Sequence, residues 1–537
     1  MPRPVDDQRI EENDPGSWLA YGRGFRQHRF SPLEQVNRET VGALGLAWWR
    51  EIGVRHRLQS SPIIADGVLY YTDSWSVVSA IDADTGEEIW TFDPATKRSV
   101  ARWSCCGGPI NRGVALYGSR VYAATFDARL VAIEAATGQK AWEVDTADYP
   151  SRVPYTISGA PLAATGKVLI GNSGSEWDHR GYVTAYDAET GERLWRFFTV
   201  PGDPSEPFEH PELEKAAETW GGEWWKLGGG GTVWNAMTYD PDLETVYIGT
   251  GNGTPWARRI RSLGGGDNLY LSSIIALDPN TGRMKWHYQT TPGDNWDYTA
   301  TQDMVLTEMA VDGSQRKVLL QAPKNGFFYV LDREDGGLLR AHPYGAMTWA
   351  TRVDMVTGRP VENSRADWEK KPQWMLPGNT GAHNWEPMAF DAGRGLAYIP
   401  THDRPFFFAF PKDYQETGVY TPRLNRMNLG VAAGAYRAEM IEQADEPPDA
   451  VGYLKAFNPL TGETAWRVRN RSATIGGVLA TAGGLVFQGD GSGFFSAYDS
   501  DSGELLWEVD AYGSIIAPPV TYRIGNTQYV AVIAGAS

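Results

Sequence analysis

The sequence predicts an all-β protein, an eight-bladed β-propeller built of four-stranded antiparallel blades joined by Trp-docking motifs. Three observations lead there. The segment Asp82-Ala-Asp-Thr-Gly86-Glu-Glu-Ile-Trp90 recurs as Glu134 to Trp142, Asp187 to Trp195, Asp278 to Trp286, Asn458 to Trp466 and Asp499 to Trp507, with a worn copy at Asp332-Arg-Glu-Asp-Gly336. Most copies follow one another at the spacing of a four-stranded repeat, about 40–50 residues. The composition of 22 Trp and 60 Gly with only 21% charged residues describes a rigid, turn-rich, aromatic-packed chain and not a disordered one.

The elements follow in order. Residues 1–40 form an N-terminal extension. The strand Leu44-Gly-Leu-Ala-Trp-Trp49 has no hairpin partner nearby and is expected to close the ring by pairing with the last blade, which removes the sheet edges. Each motif is a strand ending in Ala-x-Asp, a tight turn in which Gly supplies φ > 0, and a strand that opens on a buried aromatic. Upstream hairpins such as Gly67-Val-Leu-Tyr-Tyr71 and Gly118-Ser-Arg-Val-Tyr122 complete each meander. Seven motifs give seven blades. An eighth is assigned to the long interval before Asn458, where Phe390-Asp-Ala-Gly-Arg-Gly395-Leu-Ala-Tyr-Ile399 supplies strand, turn and strand without the Trp. The whole chain, 1–537, is thus read as one propeller domain. Long segments at 199–231, 254–267 and 411–450 are expected to lie over the active-site face, and Pro211 to Trp220 is the best short helix.

The net charge of −17 argues against a phosphate-backbone partner, and no apolar run reaches the length of a membrane-spanning helix. The first residues are charged and lack the apolar stretch of a leader, so export implies a leader already removed. Two Cys cannot build a disulfide framework, a Cys-rich zinc site or a C-x-x-C-H haem attachment.

Those two are adjacent, however. Cys105 and Cys106 stand in the Gly/Pro-rich turn Arg102-Trp-Ser-Cys-Cys-Gly-Gly-Pro109, either as two separate thiols or as a strained vicinal ring that offers a flat surface to a planar ligand. Glu176, Asn252 and Asp297 each sit just past a strand beside glycines, in three different blades. They read either as turn-forming polar residues or as oxygen ligands for a hard cation such as Ca²⁺. The run Gly228-Gly-Gly-Gly231-Thr-Val-Trp234 lacks the Lys-Ser/Thr of a phosphate cradle. Its glycines suit close backbone approach to a ligand, with Trp234 as a stacking platform or as blade core.

With these residues in place the chain resembles the quinoprotein alcohol dehydrogenases, eight-bladed propellers that carry pyrroloquinoline quinone (PQQ), and in particular the dehydrogenase domain of the soluble quinohaemoprotein members. The markers run from about Trp18 to the end. They are the docking repeats, the Cys pair followed by Asn111-Arg112-Gly113, Thr156-Ile-Ser-Gly-Ala-Pro161, the Gly-x-Glu176 turn, Gly-Gly-Gly-Thr232-Val-Trp234, Gly-Thr-Gly-Asn252-Gly, Pro-Gly-Asp-Asn-Trp-Asp297-Tyr, Ala-Pro-Lys324-Asn-Gly and His383-Asn384-Trp385. Haemoprotein members continue into a cytochrome c domain, whereas this sequence stops at Ser537 without C-x-x-C-H, so no covalent haem is expected in it.

The resemblance implies that a Cys105–Cys106 disulfide and Trp234 sandwich PQQ, and that Glu176, Asn252 and Asp297 surround a Ca²⁺ that also touches it. Asp297 would be the general base and Lys324 would donate to the quinone oxygen. Arg112, Thr156, Ser173, Gly174, Ser175 and Thr232 would contact carboxylates or ring edges of PQQ, with Asn384 and Trp385 near the quinone. Thr299 stands where lanthanide-using relatives carry an extra Asp, which favours calcium. The implied reaction is oxidation of an alcohol to an aldehyde or ketone, with electrons leaving to an external soluble cytochrome c or similar acceptor. The disulfide implies an oxidising compartment, the periplasm.

Four departures are visible. Gln59 replaces a usual Glu, four residues separate Cys106 from Asn111, Thr474-Ile475 replaces a Trp-Asn pair, and Ala536 replaces a common Trp. They suggest a wider pocket and a polyol, sugar-derived or secondary alcohol. A non-catalytic scaffold of the outer-membrane assembly type and a glycosidase using two axial carboxylates are the competing readings.

Overall fold

The structure is a computed structural model that describes residues 3–104, 108–147, 151–235 and 237–535. Its main body is seven sheets of four antiparallel strands in sequence order. Blade 1 holds Ile63–Ala65, Val68–Thr72, Val78–Asp82 and Glu88–Phe92; blade 2 runs from Val114–Tyr117 to Lys140–Asp145, blade 3 from Leu162–Ala164 to Arg193–Phe198, and blade 4 from Met237–Asp240 to Met284–Gln289. Blade 5 runs from Val305–Val311 to Leu338–Pro343, blade 6 from Ala389–Asp391 to Thr464–Arg469, and blade 7 from Ile475–Thr481 to Leu505–Asp510. First strands of neighbouring blades touch one another, as Leu162–Ala164 does on both sides, so the first strands line the axis.

The count corrects the expected eight. The hairpin around Phe390 to Ile399 is not a blade of its own: Ala389–Asp391 and Leu396–Asp403 are the first two strands of the sheet whose last two carry the Asn458 motif. The two halves were counted separately because residues 404–450 are inserted between them. The early segment 44–49 is likewise not a strand. The ring edge is instead met by Phe30–Ser31, which pairs in parallel with Ile475–Thr481. Between blades 7 and 1 lies a two-stranded sheet, Val520–Ile524 with Thr527–Ala531, packed with the extended segment that carries Trp48.

The motif has a physical reason for each residue. Asp82 Oδ1 accepts from the main-chain N–H groups of Asp84 and Thr85 (both 2.9 Å), and Gly86 (φ +76°) turns the chain left-handed where a side chain is strained. The small Ala80 pairs across the strand with Trp90. Trp90, Trp142, Trp195, Trp286 and Trp466 each cover the motif glycine of the next blade and donate the indole N–H to a carbonyl there, Trp90 to Ala135 (2.9 Å), Trp195 to Pro279 (2.9 Å) and Trp466 to Ser500 (3.0 Å). Trp48 does the same for blade 1 through Ala83 (3.1 Å). In the worn fifth copy His342 takes the role, covering Gly462 with a ring nitrogen 3.1 Å from Leu460 O.

Strand direction decides where chemistry gathers. In an antiparallel meander the residues before strand one, after strand two and after strand four emerge on one face, while the docking turns lie on the other. Segments 199–231, 254–267 and 411–450 all leave from the first face, following strand four of blade 3, strand two of blade 4 and strand two of blade 6. The predicted helix near 211–220 is observed at Glu212–Ala217. No helix among the described residues is long and apolar enough to cross a membrane.

Candidate active site

Every described residue singled out for chemistry stands at this face. Arg112, Thr156, Thr232, Trp234, Asn384 and Trp385 precede first strands; Ser173 to Glu176, Asn252 and Lys324 follow second strands; Asp297 follows the fourth strand of blade 4. Cys105 and Cys106 lie outside the described residues, as does Ala536.

Glu176 occupies a single turn, Ser175–Trp177, flanked by two left-handed residues, Gly174 (φ +88°) and Asp178 (φ +63°). A Cβ on Gly174 would stand 2.7 Å from the His179 ring, so glycine is required there. Asn252 Nδ2 donates to Glu176 Oε1 at 2.8 Å, and the Trp256 indole donates to the same oxygen at 3.3 Å. Asp297 is itself left-handed (φ +66°), in a turn held by Asp294 Oδ1, which accepts from Trp296 N–H and Tyr298 N–H. Lys324 Nζ donates to Asp297 Oδ2 (3.1 Å), to its carbonyl (3.0 Å) and to Asn379 O (2.9 Å).

A second group lies beside this one. The Arg112 guanidinium is flanked by the rings of Trp234 and Trp385, 5.0 and 4.9 Å from their centres, and donates to Ser158 Oγ at 2.9 Å. Ser158 meets Ser173 Oγ at 2.8 Å, Ser173 N–H donates to Thr156 O, and Ser175 meets Thr232 Oγ1 at 2.9 Å. Gly228 to Gly231 all have positive φ, but their close neighbours are main chain and core: a Cβ on Gly230 would stand 2.3 Å from Asn252 O. Gly230 thus lets the backbone pack directly against the Asn252 main chain.

The electrostatics are those of buried acids. Burial drives the Asp297 carboxyl well above the usual range; Lys324 opposes this, while Glu176 and Asp294 reinforce it. Burial likewise lifts Asp294 and Asp178 to about 6 and Glu386 to about 7.

The β-propeller domain of PQQ-dependent glucose, ethanol and alcohol dehydrogenases matches residues 18–341 and 361–530. The chain belongs to the PQQ-dependent alcohol dehydrogenases. It is 50% identical over 531 residues to the quinohemoprotein alcohol dehydrogenase ADH IIB of Pseudomonas putida, a match covering 98% of this chain and 74% of that one. The crystal structure of the quinohemoprotein alcohol dehydrogenase of Comamonas testosteroni superposes with a TM-score of 0.93 at 45% identity, over 99% of this chain and 79% of that one. A europium-containing methanol dehydrogenase superposes with a TM-score of 0.88 at 31% identity, over 99% and 92%. Membership in this dehydrogenase family sets aside the scaffold and glycosidase readings.

The residues of this dehydrogenase fit the groups its family uses. Among the described residues no three His, Cys, Asp or Glu side chains gather as a metal site; Glu176, Asn252 and Asp297 are buried and each carries a carboxylate or amide oxygen, the kind of ligand a hard cation takes. Among the described residues Gln59 Oε1, Asn384 Oδ1 and Glu386 Oε2 are also buried without a hydrogen-bond partner, polar demand that a bound group could meet. Sequence reasoning missed Ser158, Trp256 and Asn428. Ser158 stood inside the quoted Thr156 to Pro161 motif and Trp256 four residues past Asn252, so both had local signals; Asn428 had none.

Proposed function

We propose that this enzyme oxidises its alcohol with Ca²⁺ between Glu176, Asn252 and Asp297, and PQQ between Trp234 and the Cys105–Cys106 turn, anchored by Arg112. The observation that carries the reading is the buried Glu176–Asn252 contact set beside the Asp297–Lys324 pair. Glu176 adds to the cost of ionising the buried Asp297, so the two are stable as anions together only with positive charge nearby, and Lys324 serves Asp297 alone. When bound, PQQ supplies the electrophilic carbonyl that accepts the carbinol hydrogen, and the cation polarises it.

The chain's own residues do the rest. Asp297 takes the hydroxyl proton, and Lys324 holds Oδ2 so that the proton is received at the other oxygen. Alcohol loses two electrons and two protons to become aldehyde or ketone. We assign calcium because Thr299, not Asp, stands two positions after the base, and its hydroxyl is engaged with Thr301 Oγ1 at 2.9 Å. The acceptor is a basic one-electron carrier of the cytochrome c kind, supported by the charge of −17, and the periplasm is the compartment in which a vicinal disulfide persists. The substrate is a polyol, sugar-derived or secondary alcohol, since Thr474-Ile475 replaces larger groups.

The test is reconstitution: PQQ and CaCl₂ are added to metal-free protein and dye reduction is followed with ethanol, secondary alcohols and polyols. Activity requiring both additions is expected, and no activity in any combination refutes the assignment. Equal kcat/KM for ethanol and polyols removes the basis for the substrate class. With a basic cytochrome as acceptor the rate should fall as salt rises.

A further inference from the structure

The insertion in blade 6 reaches across the face to the Glu176 turn of blade 3. Asn428, 2% exposed, makes that crossing: its main-chain N–H donates to Glu176 O at 2.7 Å, and its Nδ2 donates to Asp178 Oδ1 at 2.9 Å. Its own Oδ1 accepts from the Tyr420 hydroxyl (3.2 Å) and from Arg423 N–H (3.0 Å), so the amide is satisfied from both sides. The next residue braces the same crossing, since Trp256 N–H donates to Leu429 O at 2.9 Å while its indole holds Glu176 Oε1. Glu176 thus lies between two left-handed residues, a turn that needs outside contacts to keep one geometry.

We propose that Asn428 is a positioning residue for the cation site: the 418–430 segment, anchored through Asn428 to the main chain of Glu176 and the carboxylate of Asp178, fixes the Glu176 carboxylate against Asn252 and so couples the cover of this face to cation affinity. The inference rests on the reading of Glu176 and Asn252 as cation ligands. Removal of an outer contact of this kind weakens metal affinity typically by about 10–100-fold.

Asn428→Asp keeps the acceptor for Tyr420 and Arg423 and the main-chain donor to Glu176, and removes the amide donor while setting a carboxylate against Asp178. The measurement is Ca²⁺ titration of the PQQ-loaded protein against a fluorescent chelator, with far-UV circular dichroism as the folding control. The dissociation constant should rise about 10-fold or more. The double variant Asn428→Asp with Asp178→Asn exchanges donor and acceptor, rebuilds the bond and should recover most of that loss. Asn428→Ser removes the amide without adding charge and serves if the Asp variant does not accumulate. A dissociation constant unchanged within about twofold in both single variants overturns the proposal, as does a double variant no better than Asn428→Asp alone. If the unsubstituted protein takes up no Ca²⁺, the cation-site reading fails first and this inference with it.

Discussion

Asp297 is a carboxyl that burial disfavours as an anion, yet a base must be ionised to work, so its neighbours decide its use. Among the described residues Lys324 is the cation paired with it, and a metal on Glu176 and Asn252 would add a second. Asp297→Asn keeps the size and an oxygen acceptor but cannot take a proton. Turnover should fall by about 10²–10⁴ while PQQ absorbance stays with the protein; normal turnover with bound PQQ would remove Asp297 from the base role. At this scale the sequence showed which positions to inspect because ligand-type residues stood next to strand ends and glycines. It did not show Asn428, since nothing near it in the chain distinguishes an anchoring amide from any loop asparagine. Its partners Glu176 and Asp178 lie some 250 residues earlier and become neighbours only when blades 3 and 6 share a face. The glycine run carries a related lesson: glycine reports that something comes close, and at Gly230 the close object is Asn252 main chain.

The blade motif was legible because each of its residues answers a local demand, and the blade count was not, because insertions break the spacing that repeats rely on. One hairpin separated from its partner strands by an insertion reads the same as a worn blade. The motif's two demands on glycine, conformation and space, separate experimentally. Gly138 and Gly166 share φ +72°, but a Cβ on Gly138 would fall 2.8 Å from the Trp90 ring whereas nothing lies within 4 Å at Gly166. Gly166→Ala should therefore cost only the left-handed backbone term, about 1–2 kcal/mol. Gly138→Ala should add an overpacking cost of about 1–3 kcal/mol and a correspondingly larger fall in melting temperature. Equal falls would mean that the Trp ring yields freely and that docking adds little rigidity. The fifth copy makes the same point without mutation, since His342 covers Gly462 where the Trp is missing, a substitution visible only once the strand register is known.

Across the whole molecule the N-terminal extension joins blades that the ring alone would leave to their neighbours. Asp7 accepts from Thr165 N–H at blade 3, Arg26 pairs with Asp242 at blade 4, and Phe30–Ser31 adds to blade 7. Between them His28 meets Leu306 O of blade 5 at 2.7 Å, and its own carbonyl accepts from Phe390 N–H of blade 6. Burial lowers the His28 pKa from about 6.5 to about 4, the Leu306 bond opposing only in part. The unfolded chain therefore binds this proton more tightly than the folded one. The contribution of neutral His28 is fully present above pH 6.5 and is lost as pH falls toward 4, at up to about 1.4 kcal/mol per pH unit. His179 and His402, lowered by burial to about 4 and about 3, act in the same direction. His28→Gln retains a donor for Leu306 O but does not titrate, so it should lower stability slightly at pH 7 and lose less melting temperature than the unsubstituted protein between pH 7 and pH 5. The slope should be reduced and not abolished, because His179, His402 and the other buried histidines His210, His287 and His383, also lowered by burial, still titrate. Equal losses in the two proteins would show that the extension opens from blades 5 and 6 before His28 is protonated in its folded setting, and that the clasp is looser than its hydrogen bonds indicate.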